Sequence, residues 1–530
     1  MYERIKFSNV RGPFLYINYL FNTIFNILRL RKDFWFLKFQ KRDISNSEDK
    51  ILLFCPSLNL DKPSYITVGL KALLNTAKYN KIKVDFVQCI GALQICHLGG
   101  SPFSSNNLMP CRACSSVNNR LFNGTNMLKI KNFESGTYKD FSKFKIKELQ
   151  SYTYKNYPLG KLVTSSIIWI KRSSEINDSF KGYYEKMLND AINLVEYFTK
   201  QNLSDYRGIL VFNGATFPEA VLYEVCKKKG LNIATFEGGL SYKNKYCIEF
   251  NYGVTSQHKF HFDNNKDTGL GISNVTSHIK NQWVDGINVK DGYFSKSVDN
   301  NLKNKKIVSI FGNVSWDTSQ YISNSIFDSM FDWTNSLIEI IEKFPEYEFI
   351  FRAHPGENRP LKKTYFGLSE WFDIHVKNKF DNVTCISADS KINSYDLINV
   401  SDVVLVYNST IGMESAMLGK KTFVAADTHY SKQPFVENFN QKDLYLENLA
   451  LELKKDRHLI STSLSEKAKE YYFQLFNNVS YSLDDFIIKS NNRYLEVDET
   501  KIDNEEFLLS SPFDQLLKNF LNKKNIQFIN

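Results

Sequence analysis

The sequence predicts an α/β protein built from two successive parallel-sheet domains. Three observations carry this expectation. The chain has 530 residues, more than a single hydrophobic core ordinarily serves. Short apolar runs alternate with longer amphipathic stretches, the pattern of strand–helix–strand units. The alternation stops in a polar stretch, "FSKSVDNNLKNKK" at 294–306, and then starts again.

In the first half the predicted strands are "KILLFCP" (50–56), "KVDFVQC" (83–89), "GILVFNG" (208–214) and "NIATFEG" (232–238). Between the last two, "FPEAVLYEVCKKKG" places apolar residues at helical spacing and ends at Gly230, a residue suited to a helix C-cap. Residues 99–160 are rich in Ser, Asn, Lys and Tyr and read as an insertion or long loop region. In the second half, strands are expected at 307–311, from Tyr347 through "YEFIFRAHP", and at 382–388, 402–410 and 421–427, with an amphipathic helix over 320–343. From 465 onward the pattern is helical, with a polar end. The expected organisation is an N-terminal amphipathic segment (1–45), a Rossmann-like acceptor domain with a Cys-containing insertion (46–295), a second Rossmann-like domain (305–480) and a helical tail (481–530). Open parallel sheets bind ligands in the crevice at their carboxyl ends.

Composition narrows the class. A hydrophobic content of 43% with 15% aromatic residues excludes a disordered chain. The net charge of +10 favours anionic partners such as phosphates, nucleotide sugars or acidic membrane surfaces. It is spread along the chain without a basic block, so no nucleic-acid partner is expected. "MYERIKFSNVRG" shows no signal-peptide pattern, which predicts a cytoplasmic location. The apolar run 14–28 falls short of the roughly 20 residues that a membrane-spanning helix needs. "RLRKDFWFLKFQKR" follows it, mixing bases with aromatics. That combination suits either an amphipathic helix lying on the inner face of the cell membrane or a helix packed on its own domain.

Eight cysteines fall at 55, 89, 96, 111, 114, 226, 247 and 385. Without a secretion signal, structural disulfides are not expected. Cys89, Cys96, Cys111 and Cys114 supply the four soft ligands of a closed tetrahedral site, here a structural zinc, with His97 as a spare. The alternative is four small buried thiols beside a tight turn.

The candidate ligand-binding residues sit where strands end. In "YEFIFRAHPGE", Pro355 holds the residue before it extended and so aims the His354 imidazole, suited to donating to a phosphate. Arg352, two residues back, offers a bidentate fork. Alone, this dipeptide would read as an ordinary loop histidine. Some fifty residues later, in "DVVLVYNSTIGMESAMLGKKT", a strand ends at Tyr407-Asn408, and Ser409 and Thr410 open a helix. They would bind an anion or simply cap the helix. Glu414, one turn on, is expected to accept from ribose hydroxyls. Asn313 and Asp317 in "FGNVSWDTS" are expected to contact donor phosphates or the acceptor.

"RAHPGE" followed by "VYNSTIGMESAMLGKKT" resembles the C-terminal half of the capsule polysaccharide biosynthesis glycosyltransferases, a GT-B group related to bacterial Kdo- and sialic-acid-transferring enzymes. The likeness covers roughly residues 300–430 and extends more weakly to "FNGATFPEAVLYEVCKKKGLNIATFEGG". It implies two Rossmann-like domains with parallel sheets facing across a cleft, and catalysis that requires no metal cofactor. The donor would be a CMP-, UDP- or GDP-linked sugar and the acceptor a polysaccharide or lipid-linked glycan. The matching donor-binding positions are His354-Pro355 and Ser409-Thr410. Glu237 matches an acidic residue before glycine and would be the catalytic base; the relatives often carry two acidic residues there, where this chain has Phe236-Glu237. Gly238 would let the backbone approach a sugar closely, and Asn213 would line the same cleft. Three other readings stay open: a polyol-phosphate transferase of the teichoic-acid type, a sugar-nucleotide epimerase of GT-B shape, and a non-catalytic polysaccharide assembly protein.

Overall fold

The computed structural model describes residues 49–58, 64–106, 111–122, 125–130, 137–239, 246–254, 305–358, 363–491 and 494–527. They form two compact units. One contains the residues through Val163, Ser179–Gly253 and the chain from Val479; the other contains Thr164–Asp178 and Val254–Asn478.

The first unit is built on β1 (Lys50–Phe54), β2 (Lys83–Cys89), β3 (Asn126–Ile130), β4 (Gly208–Phe212), β5 (Ile233–Gly238) and β6 (Cys247–Asn251). Strands β1 to β5 pair in parallel in the order β5-β4-β1-β2-β3, and β6 pairs antiparallel with β5. β1, β2 and β4 read as near-continuous apolar runs because sheets of this kind are covered on both faces. Leu53, Phe86, Leu210 and Phe236 belong to the core on one face, against the helix Tyr65–Tyr79.

The second unit holds β7 (Lys306–Phe311), β8 (Tyr347–Arg352), β9 (Val383–Ile386), β10 (Val403–Val406) and β11 (Lys421–Val424). All pair in parallel in the order β11-β10-β7-β8-β9. The chain then returns to the first unit. β12 (Ser480–Ser482) extends the first sheet beside β6, and β13 (Ile487–Asn491) and β14 (Tyr494–Val497) form a separate hairpin. The helix Pro512–Leu521 follows, burying Phe513, Leu516, Leu517 and Phe520 in the first core.

Each unit is thus an α/β, Rossmann-like layer structure, the fold class the sequence predicts. Its details differ in four places. Residues 99–160 carry regular structure, including the edge strand β3 and the helices Cys111–Leu121 and Ile146–Gln150, and the helix Leu159–Lys171 begins at their end. β3 reads "NMLKI" with partly exposed positions, so it lacks the buried apolar run that marks the inner strands. The helix expected over 320–343 is three short ones, Thr318–Ser323, Met330–Ser336 and Ile338–Lys343. Asn324 is non-helical, and Ser329 starts a new helix by accepting from the Asp332 N–H at 3.1 Å. Thr164–Asp178 joins the second unit, and the chain from Val479 joins the first rather than forming a separate tail. The segment 1–45 and most of the stretch 294–306 lie outside the described residues. Among the described residues no helix is long and apolar enough to cross a membrane.

The return of the chain rests on a close fit, because a β-carbon at Gly208 in β4 would stand 2.3 Å from the Phe520 ring. Phe520→Ala should lower the stability of the first unit by about 3–5 kcal/mol, read from urea unfolding. An unchanged unfolding midpoint would show that the C-terminal helix contributes nothing to that core.

Candidate active site

The register of the second sheet sets one row of residues. Val424, Val406, Phe311, Arg352 and Ile386 are neighbours across five strands. Two residues past the ends of three of those strands come Asn408, Asn313 and His354. Asn313 Nδ2 donates to Asn408 Oδ1 at 2.9 Å, and Gln320 Nε2 donates to the same oxygen. Asn408 Nδ2 in turn reaches Ser323 Oγ at 3.3 Å. Asn313 also accepts from the Val314 N–H at 2.7 Å through its Oδ1.

His354 leaves β8 half-buried, and Pro355 opens the short 3-10 turn Pro355–Asn358. The Gly356 N–H donates to His354 Nδ1 at 2.9 Å. A ring nitrogen that accepts carries no proton, so this contact favours the tautomer that donates from Nε2. Ser409 is nearly buried and its Oγ lies 3.4 Å from the Ile411 N–H. Thr410 precedes the seven-residue helix Ile411–Met417 and makes no side-chain capping bond.

Three predicted residues are bonded to the frame of the unit. Arg352 is 1% exposed, and its terminal nitrogens donate to the carbonyls of Ser387 (2.5 Å), Ile392 (3.4 Å) and Ser390 (3.5 Å). It therefore holds the loop after β9; burial lowers its pKa to about 10. Glu414 is 2% exposed and accepts from the Tyr395 hydroxyl at 2.9 Å. Asp317 caps the helix Thr318–Ser323, accepting from the Ser319 N–H at 2.9 Å.

Arg172 lies in the same unit and was not read from the sequence. Its guanidinium carbon stands 3.9 Å from the Trp169 ring and 4.3 Å from the Trp316 ring. Trp316 Nε1 donates to Thr364 Oγ1 at 2.8 Å, and the Tyr365 N–H donates to the Arg172 carbonyl at 3.0 Å. The sandwich thus ties the end of the helix Leu159–Lys171 to the segments that follow β7 and the 3-10 turn.

In the first unit, the register pairs Val211 with Phe54 and with Thr235. Two positions on come Pro56, Asn213 and Glu237. Asn213 has a left-handed backbone (φ 57°), and its Nδ2 donates to Glu237 Oε2 at 2.9 Å. Glu237 faces Glu249 directly across the β5–β6 pair. Opposed residues share a face, and two carboxylates placed so repel each other unless something compensates. Glu249 escaped the sequence reading because it lies on an antiparallel strand that was not foreseen. Tyr65 lies against this pair; burial, then Cys247, Glu237 and Glu249, raise its pKa. Gly238 is needed for that approach, since a β-carbon there would meet the Tyr65 hydroxyl at 2.5 Å.

Cys89, Cys96, Cys111 and Cys114 line one pocket of this unit. Among the described residues no three His, Cys, Asp or Glu side chains are disposed to hold a metal ion.

Glu219 in the first unit and Glu357 in the second are among the buried carboxyl groups. Glu219 is fully buried, with Oε1 accepting from the Ser57 N–H at 2.6 Å and Oε2 unpartnered among the described residues. Glu357 accepts from the Leu368 N–H at 3.1 Å, at the start of the helix Leu368–His375. Burial raises both to about 8.

No family model matches the chain. Protein FixF of Sinorhizobium fredii (strain NBRC 101917 / NGR234) is 23% identical over 307 residues, 56% of this chain. The match spans 63% of that relative's length, less than two thirds of it. Among solved structures, the KpsC β-Kdo 2,4 transferase of Thermosulfurimonas dismutans aligns with a TM-score of 0.33 and 14% identity, covering 50% of this chain and 79% of that one. The UDP-GlcNAc 2-epimerase of Neisseria meningitidis aligns with a TM-score of 0.23 and 13% identity, covering 90% of this chain and 100% of that one. Likenesses at this level assign no activity to the chain.

The two buried carboxyls predict a pH dependence of stability. Their pKa is raised above the ordinary 4.5, so the folded state binds protons that the unfolded state has lost. Their contribution is full below about pH 4.5 and is lost as pH rises through about 8. The double variant Glu219→Gln/Glu357→Gln should therefore show a flatter fall in urea midpoint between those pH values than the native chain. Equal slopes would reject burial as the source of the shift.

Proposed function

We propose that the protein is a sugar-handling enzyme, a metal-independent GT-B-type glycosyltransferase. In this reading it moves a sugar from a nucleotide-activated donor to a growing surface polysaccharide or lipid-linked glycan. The observation that supports it most is the row at the carboxyl edge of the second sheet. There Asn313, Asn408 and His354 each stand two residues past a register-paired position, Asn313 is bonded to Asn408, and Ser409 and Thr410 follow directly after Asn408. An imidazole whose Nδ1 accepts from the Gly356 N–H keeps Nε2 for donation and is suited to meet the charge that grows on a departing nucleotide phosphate.

The proposed step is a group transfer. An acceptor hydroxyl oxygen forms a bond to the anomeric carbon as the bond from that carbon to the donor phosphate oxygen breaks. The electron pair leaves with the nucleotide, and the hydroxyl proton passes to the Glu237 carboxylate. Asn213 orients Glu237 through its Nδ2 bond, and Glu249 opposite supplies a second carboxylate. The basic, aromatic segment within 1–45 would bring the enzyme to the cytoplasmic face of the membrane, where lipid-linked acceptors lie.

Melting temperatures measured with CMP, CDP, UDP and GDP should rise with the nucleotide of the donor class, because a ligand of the folded state stabilises by mass action. With the donor so identified, His354→Ala and Glu237→Gln should each lower sugar transfer by about a hundredfold or more, with native-like melting curves. Full transfer in both variants would sink the site assignment. Turnover of the donor without any acceptor would point to an epimerase, and release of a polyol phosphate to a teichoic-acid-type transferase. Binding without turnover under any condition would leave a non-catalytic assembly protein.

A further inference from the structure

Arg172 stands apart from the groups already assigned to the transfer. The helix Leu159–Lys171 ends just before it, and its backbone is left-handed at φ 55°. Glycine fills that place after many helices because it has no β-carbon to clash. Here an arginine holds it, and its carbonyl accepts from the Tyr365 N–H at 3.0 Å.

Two indoles fix the side chain. The Trp169 and Trp316 rings meet at 82° with their centroids 6.4 Å apart, and the guanidinium carbon lies 3.9 Å from the first and 4.3 Å from the second. Cation–π attraction strengthens as water is excluded. Nη1 is enclosed in this corner and has no hydrogen-bond partner among the described residues. Burial lowers the pKa only to about 10, so the positive charge is kept at neutral pH. A buried guanidinium nitrogen without a partner is costly, and phosphate oxygens are partners that its planar fork matches well.

Two short paths join this corner to the strand ends that carry Asn313 and His354. Trp316 lies three residues past Asn313, and Val314 between them sits against the turn after His354. A β-carbon at Gly356 would stand 2.9 Å from His354 Nδ1 and 3.1 Å from Val314 Cγ2. On the second path, the Thr364 N–H donates to the Glu357 carbonyl at 2.7 Å, and Thr364 Oγ1 accepts from Trp316 Nε1 at 2.8 Å. Arg172 is half-buried and Tyr365 is 53% exposed, so the corner reaches solvent. Arg352, by contrast, already has three carbonyls as partners.

We infer that Arg172 is a further donor-binding residue, whose guanidinium donates to a phosphate oxygen of the nucleotide-activated sugar. The inference rests on the transferase reading. The guanidinium keeps its protons throughout. It holds the phosphate in place and offsets the charge left there when the bond to the anomeric carbon breaks.

The test uses the full chain and calorimetric titration with CMP, CDP, UDP and GDP over a range of potassium chloride concentrations. Arg172→Gln removes the charge and keeps a polar side chain. At low salt it should bind the nucleotide that the native chain binds about tenfold or more weakly, as expected for one lost charged hydrogen bond. Its affinity should also fall less steeply with added salt, since one ionic contact is gone. Should Arg172→Gln fail to fold, Arg172→Lys keeps the charge without the planar fork; it should bind the nucleotide more weakly while retaining the native salt dependence, and native affinity in it would overturn the inference. If the native chain binds none of the four nucleotides, the transferase reading falls and this inference with it. If the native chain binds one and Arg172→Gln binds it equally, or more weakly with the native salt dependence, this inference alone falls.

Discussion

Parallel strand pairing is the constraint on which the rest of the structure depends. Strands that run the same way end on the same edge, and the connections between them must cross back over a face of the sheet. In the second unit the pairing of Phe311 with Arg352 and with Val406 brings the strand ends together, and His354, Asn313 and Asn408 each follow two residues past these positions. Since side chains alternate between faces, a slip of one residue in β8 would take Tyr347, Phe349 and Phe351 out of the core they fill and turn them to the opposite face. The core therefore enforces the register, and the register places the polar groups.

Much of this was legible in the sequence. β1, β2, β4, β5 and all five strands of the second sheet stand where apolar runs predicted them, and the residues at their carboxyl ends are the polar ones singled out. What the sequence does not carry is the direction in which a polar side chain is used. Arg352 reads as a phosphate-binding fork because the residues around it resemble a binding loop. Its use is decided by carbonyls at Ser387, Ser390 and Ile392, which reach it only once β9 is paired. Glu414 likewise depends on Tyr395, and Glu249 becomes a partner of Glu237 only through an antiparallel strand that no apolar run announces. Arg172 was hidden for another reason. Its segment precedes much of the first unit in sequence yet packs with the second.

The two units handle charge in related ways. Each places a half-exposed group at the strand ends, His354 in one and Glu237 in the other, and keeps a fully enclosed carboxyl behind them. Glu219 and Glu357 each accept from a backbone N–H of a neighbouring segment, Ser57 or Leu368. They fasten loops, and the energetic strain of enclosing an acid is met by keeping it protonated over much of the pH range. The outward-facing groups have their own partners, Asn213 for Glu237 and the Gly356 N–H for His354.

The late return of the chain bears on how the protein comes into being during synthesis. Domains commonly fold in order from the N-terminus as they leave the ribosome. Here β12 completes the first sheet beside β6, and Phe513, Leu516, Leu517 and Phe520 complete its core. All of these are translated after the last strand of the second unit. The unit that begins first must therefore wait, with part of its core unfilled, until the later unit has emerged and closed. A nascent chain stalled before Val479 would hold a finished second unit and an unfinished first one, a target for chaperones rather than a working half.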